Sequence, residues 1–197
     1  MKLLRVTAEG LPLFKEKLDI SFYTQQRIYE DDKESLYPLF SNIYMNCAEA
    51  FIGINASGKT SVLKVILLAL NLLNNEPINH LETKDILGST QKAVINAYFH
   101  SDTKAIYRLE TEITSERTKT GEQHYKIIHE TLWMKPESGV GTRKGLADFN
   151  GYEPITMRSR EEEFLSDDVS IIIAHNKKQK KHMDIVSLLS YTNANVL

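Results

Sequence analysis

The sequence predicts an α/β fold of the phosphate-loop kind, and three observations carry that prediction. Residues Gly53-Ile54-Asn55-Ala56-Ser57-Gly58-Lys59-Thr60 fit the pattern G-x-x-x-x-G-K-[ST]. Ala50-Phe51-Ile52 reads as the end of a strand leading in, and Ser61 to Leu73 as a strongly apolar helix leading out. Beyond Gly88, successive apolar runs of strand length are separated by turn residues, the pattern of an antiparallel meander.

Taken in chain order, Leu3 to Ala8 and Leu18 to Phe22 read as two short strands joined around Gly10-Leu11-Pro12. An acidic, mobile-looking segment follows at Glu30 to Glu34. Ile43 to Ile52 then reads as the approach to the loop, with Cys47 in the core. The helix after the loop carries Val62, Leu63, Val65, Ile66, Leu67, Leu68, Leu70, Leu72 and Leu73. That set wraps nearly its whole circumference and predicts burial on most sides. Asn74, Asn75 and Pro77 end it.

Ala93 to Phe99, Ala105 to Ile113 and Tyr125 to Met134 are the three strands of the meander. Trp133, Tyr125 and Ile127 share a strand face in this reading, and His124 and His129 lie on opposite faces. Residues 136–152 read as a loop, Val169 to Ala174 as a strand and Met183 to Leu189 as a short helix. The lobe therefore divides into a loop-bearing core (1–88), the meander (89–135) and a closing stretch (136–197).

Composition sets the outer bounds. With 197 residues, 42% hydrophobic and 25% charged, the chain suits one globular domain or one large lobe. A net charge of −2 gives no general pull toward nucleic acid or an anionic membrane. The single cysteine, the lack of a leader-like apolar core after Met1 and the shortness of the longest apolar stretch point to a cytoplasmic protein without a membrane span.

The loop residues have roles set by physics. Gly53 and Gly58 permit backbone angles and close approaches that a Cβ would block. The N–H groups along Asn55, Ala56, Ser57 and Gly58, at the positive end of the helix, point at phosphate oxygens. Lys59 brings a point charge to the same oxygens. Thr60 offers a hydroxyl to Mg²⁺, and Ser61 reaches the α-phosphate region. The loop therefore implies a nucleoside triphosphate with Mg²⁺. An ordinary glycine turn with Ser57 capping the helix is the bland alternative.

Element order discriminates among phosphate-loop proteins. Some fifty residues precede the loop, which argues against small-molecule kinases. Asn176-Lys177-Lys178-Gln179 lacks the aspartate of a guanine reader. What remains resembles the ABC-type ATPase heads of the SMC/RecF/OLD group, especially the AAA-family ATPases of bacterial abortive-infection systems. The resemblance rests on Gly53-x-Asn55-x-Ser57-Gly58-Lys59-Thr60, the opening hairpin and the meander, and it covers residues 1–135. It implies the N-terminal lobe of such a head, in antiphage defence, with ATP as the nucleotide cofactor. It further implies a Mg²⁺-facing glutamine ahead of the meander. Gln91 stands at that place, where a polar residue entering a strand reads equally well.

Such heads hydrolyse ATP with an apolar strand ending in paired carboxylates and a Leu-Ser-x-Gly signature. Ile171-Ile172-Ile173-Ala174 is followed by His175-Asn176, and Leu165-Ser166 by Asp167-Asp168, so neither is present. Turnover is therefore expected only with a completing C-terminal half. The resemblance implies an ATP-dependent homodimer or that half as partner, with DNA or an effector protein as a possible further one. The alternatives are a non-hydrolysing nucleotide-sensing interaction module and a phosphotransferase. Arg158, Arg160, Lys177, Lys178, Lys180, Lys181 and His182 form a basic cluster that reads first as a solvated face. Phe14, Phe22 and Tyr23 are the candidates for stacking on adenine.

Overall fold

The computed structural model describes residues 1–54, 58–160 and 165–172, with Arg160 described by its backbone. In chain order the regular elements are β1 (Lys2–Glu9), β2 (Leu18–Ser21), β3 (Leu36–Phe40), β4 (Ile43–Asn46), α1 (Lys59–Leu73), β5 (Ala93–His100), β6 (Ala105–Arg117), β7 (Gln123–Pro136), α2 (Arg143–Ala147) and β8 (Pro154–Met157). Six of the strands form one antiparallel sheet in the order β2-β1-β5-β6-β7-β8. Strands β3 and β4 form a separate hairpin. The fold is mixed α/β on an antiparallel sheet, and the meander expected from residues 93 to 134 is its centre.

Period-two alternation drives both faces of this sheet inward. One face presents Val6, Ala8, Ile95, Ala97, Leu109 and Leu132 to α1, whose Val65, Leu68, Ala69 and Leu72 meet them. Each such leucine or valine contributes about 1.5–3 kcal/mol by leaving water. The other face presents Leu4, Tyr98 and Ile106 to Tyr23, Ile43, Val140, Leu146 and Phe149. The loop expected at 136–152 contains α2 and holds part of this second core. Its clamp is Lys135, whose ammonium donates to the carbonyls of Gly145 and Asp148 beneath the rings of Phe149 and Tyr152.

Several expectations are corrected. Helix α1 packs against the sheet and the 3₁₀ turn at Glu82–Leu87, while Leu63 is 48% and Leu67 40% exposed on the side that none of the described residues covers. The approach strand stops at Asn46, short of Ile52, and Cys47 is exposed. Among the described residues, 47–53 form no backbone hydrogen bond with another element, so no ladder extends the strand. The acidic segment forms a 3₁₀ turn over Glu30–Ser35, fastened by the Tyr29 N–H donating to Asp32.

A β-bulge overturns two facial assignments in β7. Glu112 pairs with His129 and Ile113 with Ile127, so Ile128 is an extra residue and parity reverses there. Tyr125 and Ile127 stay on the α1 side with Leu132, whereas Trp133 joins the second core. The same reversal places His124 and His129 on one face.

Of the strand expected over Val169 to Ala174, Val169 to Ile172 are not a strand, and Ile173 and Ala174 lie outside the described residues. Backbone groups of 169–172 are taken by side chains instead. Arg158 donates to the Val169 and Ser166 carbonyls, and Glu130 accepts from the Ile171 N–H and the Ser170 hydroxyl. Arg158 is therefore buried and no part of an exposed basic patch. Met183 to Leu189 and the lysines from Lys177 to Lys181, with His182, lie outside the described residues.

Candidate functional site

The glycine loop begins where the hairpin ends. From Asn46 the chain runs through mostly exposed residues to Ile54, with Ile52 at 94% and Ile54 at 84%, and is described again from Gly58. Gly58 lies in the left-handed region at φ 86°, ψ 7°, a conformation that a Cβ disfavours, and α1 starts at the next residue. The Val62 N–H donates to the Gly58 carbonyl at 2.9 Å, which opens the helical ladder. Glycine has no side chain with which to cap the first turn, and no acidic residue stands in it. The first N–H groups of a helix carry a partial positive charge, the kind of terminus that favours an anion.

Lys59 reaches back across the loop. Its ammonium donates to the carbonyls of Gly53 and Ile54, each at 2.8 Å. That places a full positive charge at the mouth of the loop, where a phosphate oxygen would be a stronger, charge-assisted acceptor than a neutral carbonyl. Thr60 is exposed and Ser61 half-buried on the first turn. Asn55, Ala56 and Ser57 lie outside the described residues. The structure thus brings Gly53, Gly58 and Lys59 together and sets Thr60 and Ser61 beside them.

Gln91 lies at the entry to β5. It is exposed ahead of β5, its carbonyl accepting from the Thr114 hydroxyl at 2.9 Å, and no described contact joins it to Thr60. Of the candidate adenine platforms, Tyr23 is buried in the second core, and Phe14 and Phe22 pack half-buried against the first. Tyr23 therefore offers no open ring face.

Sequence reasoning missed a cavity of about 460 Å³ beside the loop stem, lined by Tyr23, Gln25, Gln26, Arg27, Asn46 and Glu49 among others. The only signal in the chain was the polar run Thr24-Gln25-Gln26-Arg27 directly after an apolar strand.

The most perturbed ionisable groups are not at the loop. Burial raises the Glu130 carboxyl, against the pull of donors from Ile171, Thr111 and Ser170. Burial lowers the Lys135 ammonium to about 8. Both hold chain segments against the sheet, which marks them as structural. No helix among the described residues is long and apolar enough to cross a membrane. Compared with known proteins, the chain matches no family model and no curated sequence.

Proposed function

We propose that this chain binds Mg-ATP through the loop from Gly53 to Thr60, as the nucleotide-binding lobe of an SMC/RecF-like ATPase head. The observation that supports this best is the junction at Gly58. A left-handed glycine delivers the chain into α1, and the lysine beside it folds its ammonium over the loop. Lys59 and the first-turn N–H groups hold the β- and γ-phosphates. Thr60 supplies the protein's hydroxyl to Mg²⁺, the other positions being filled by water and phosphate oxygens. Gln91 is the further candidate toward the metal. Antiphage defence is the setting the resemblance suggests, with a homodimer or a completing half as partner.

A second reading is favoured by one observation. Residues 169–172 do not form the apolar strand that would carry hydrolytic carboxylates. A nucleotide sensor that binds without turnover is therefore the alternative, and the two readings share the same loop.

The test is a titration of Mg-ATP by calorimetry against the native chain and Lys59→Ala, with circular dichroism to establish folding. The variant should bind at least about tenfold more weakly, the loss of one charge-assisted contact. Equal affinity in a folded variant would overturn the proposal. Adding candidate completing polypeptides to the same sample separates the readings, since turnover appears only under the first.

A further inference from the structure

We propose that the cavity beside the loop stem holds the nucleoside part of the nucleotide, with Gln26 and Glu49 as residues that select it. The inference rests on the Mg-ATP reading and extends it from the phosphates to the base and sugar.

Position is the first argument. Asn46 and Glu49 line the cavity, and the chain runs from them straight to the loop. Glu49 is four residues from Gly53, so their Cα atoms are at most about 14 Å apart even in a fully extended chain. A nucleotide anchored by its terminal phosphates at the start of α1 must send its sugar and base outward along the loop, and the stem is one side of that space.

Chemistry is the second. The apolar part of the wall comes from Ile28 and Leu36, and the polar part carries the side-chain amides of Gln25, Gln26 and Asn46, the hydroxyls of Ser21, Thr24 and Ser35, and the charged groups of Arg27, Asp32 and Glu49. A nucleobase has apolar faces and a hydrogen-bonding rim, and a ribose has vicinal hydroxyls. The amides suit the rim. The Asn46 amide donates to one Glu49 carboxylate oxygen at 2.6 Å, which orients the other as an acceptor for a sugar hydroxyl. A volume of about 460 Å³ falls within the range of small-molecule sites.

Preorganisation is the third. The Thr24 N–H donates to the Tyr44 carbonyl at 2.9 Å and the Asn46 N–H to the Phe22 carbonyl at 3.0 Å, joining the two walls. Arg143 donates to the Gln25 carbonyl at 2.7 Å and ties the rim to α2. A ligand there meets walls that are already assembled.

The experiment compares Mg-ATP with Mg-tripolyphosphate, which has the phosphates and no nucleoside. Both are titrated against the native chain, the double variant Gln26→Ala/Glu49→Ala, the milder Glu49→Gln and Lys59→Ala. The native chain should prefer ATP. The double variant should lose about tenfold or more in ATP affinity with tripolyphosphate unchanged, and Glu49→Gln should lose part of that preference. Lys59→Ala should lose both ligands. An unchanged ATP preference in the double variant would overturn the proposal, as would a native chain that binds the two ligands equally; in either case the phosphate-loop reading survives. A native chain that binds neither ligand overturns both.

Discussion

Asn79 pairs with the backbone of Tyr125 as a peptide group would. Its side-chain amide donates to the Tyr125 carbonyl at 2.9 Å, and its side-chain oxygen accepts from the Tyr125 N–H at 2.8 Å. Strand β8 pairs with β7 only at Thr131, Leu132 and Trp133, so the first part of β7 has no strand beside it there. Asn79 closes part of that edge, and the Ile127 N–H finds the Asp167 carbonyl at 2.7 Å. An edge satisfied in this way is blunted against pairing with other chains.

Replacing Asn79 should therefore destabilise the fold more than its half-buried position suggests. Asn79→Ala should lose about 2 kcal/mol, the scale of leaving two backbone groups without partners. Asn79→Asp should be worse at neutral pH, because the new carboxylate would face both the Tyr125 carbonyl and Asp168, which now accepts from the Asn79 amide at 3.0 Å. Urea unfolding of both variants checks the order. Equal stability of Asn79→Asp and the native chain would show that the peptide-like pairing contributes nothing.

Two glycines in left-handed conformations should respond differently to alanine. At Gly10, φ is +74° and a Cβ would lie 2.0 Å from the Lys92 carbonyl oxygen, so backbone must move. Gly10→Ala should cost about 3 kcal/mol or more, strain and clash together. At Gly58, φ is +86° and nothing among the described residues lies within 4 Å of the added atom. Gly58→Ala should cost only the conformational term, about 1 kcal/mol, while still crowding the phosphate site. Thermal unfolding of the pair decides this, and a larger loss at Gly58 would contradict it.

Lys135 should contribute a rise in stability with pH above about 8. Burial lowers the Lys135 ammonium from 10.5 to about 8 in the folded chain. Between those values the unfolded chain binds more protons than the folded one, so raising the pH favours folding. The gain approaches about 3 kcal/mol, at roughly 1.4 kcal/mol for each pH unit that separates the two values. Below about 8 both states are protonated and the penalty for burying the charge is complete. Lys135→Met should flatten the slope in that window. Parallel pH profiles for the variant and the native chain would show that Lys135 does not titrate there.

Cys47 should react readily in the folded chain. It is exposed on the loop stem and is the chain's one cysteine. A chromogenic disulfide reagent should titrate one thiol without denaturant, at a rate little changed in urea. Reaction only on unfolding would place the stem inside the protein.

The local pattern alone was enough for the meander, the opening pair β1–β2 and the helix after Gly58. These depend on alternation, helical periodicity and turn residues within short windows, and they appear in the structure near the expected boundaries. The loop motif is legible as a pattern of residue types at adjacent positions, and of its residues the structure describes Gly53, Ile54, Gly58, Lys59 and Thr60. Tertiary structure decided the rest. One extra residue at Ile128 moved Trp133 to the opposite core, since side-chain parity beyond a bulge depends on the partner strand. Cys47 and Ile52 became exposed because a strand exists only where another strand pairs with it. Residues 169–172 have the composition of a strand, but Glu130 and Arg158 take their backbone groups, and both lie far away in sequence or outside the apolar run. The cavity beside the loop is likewise built from residues 21 to 49 folded back on themselves, so its shape could be read only once that fold was in hand.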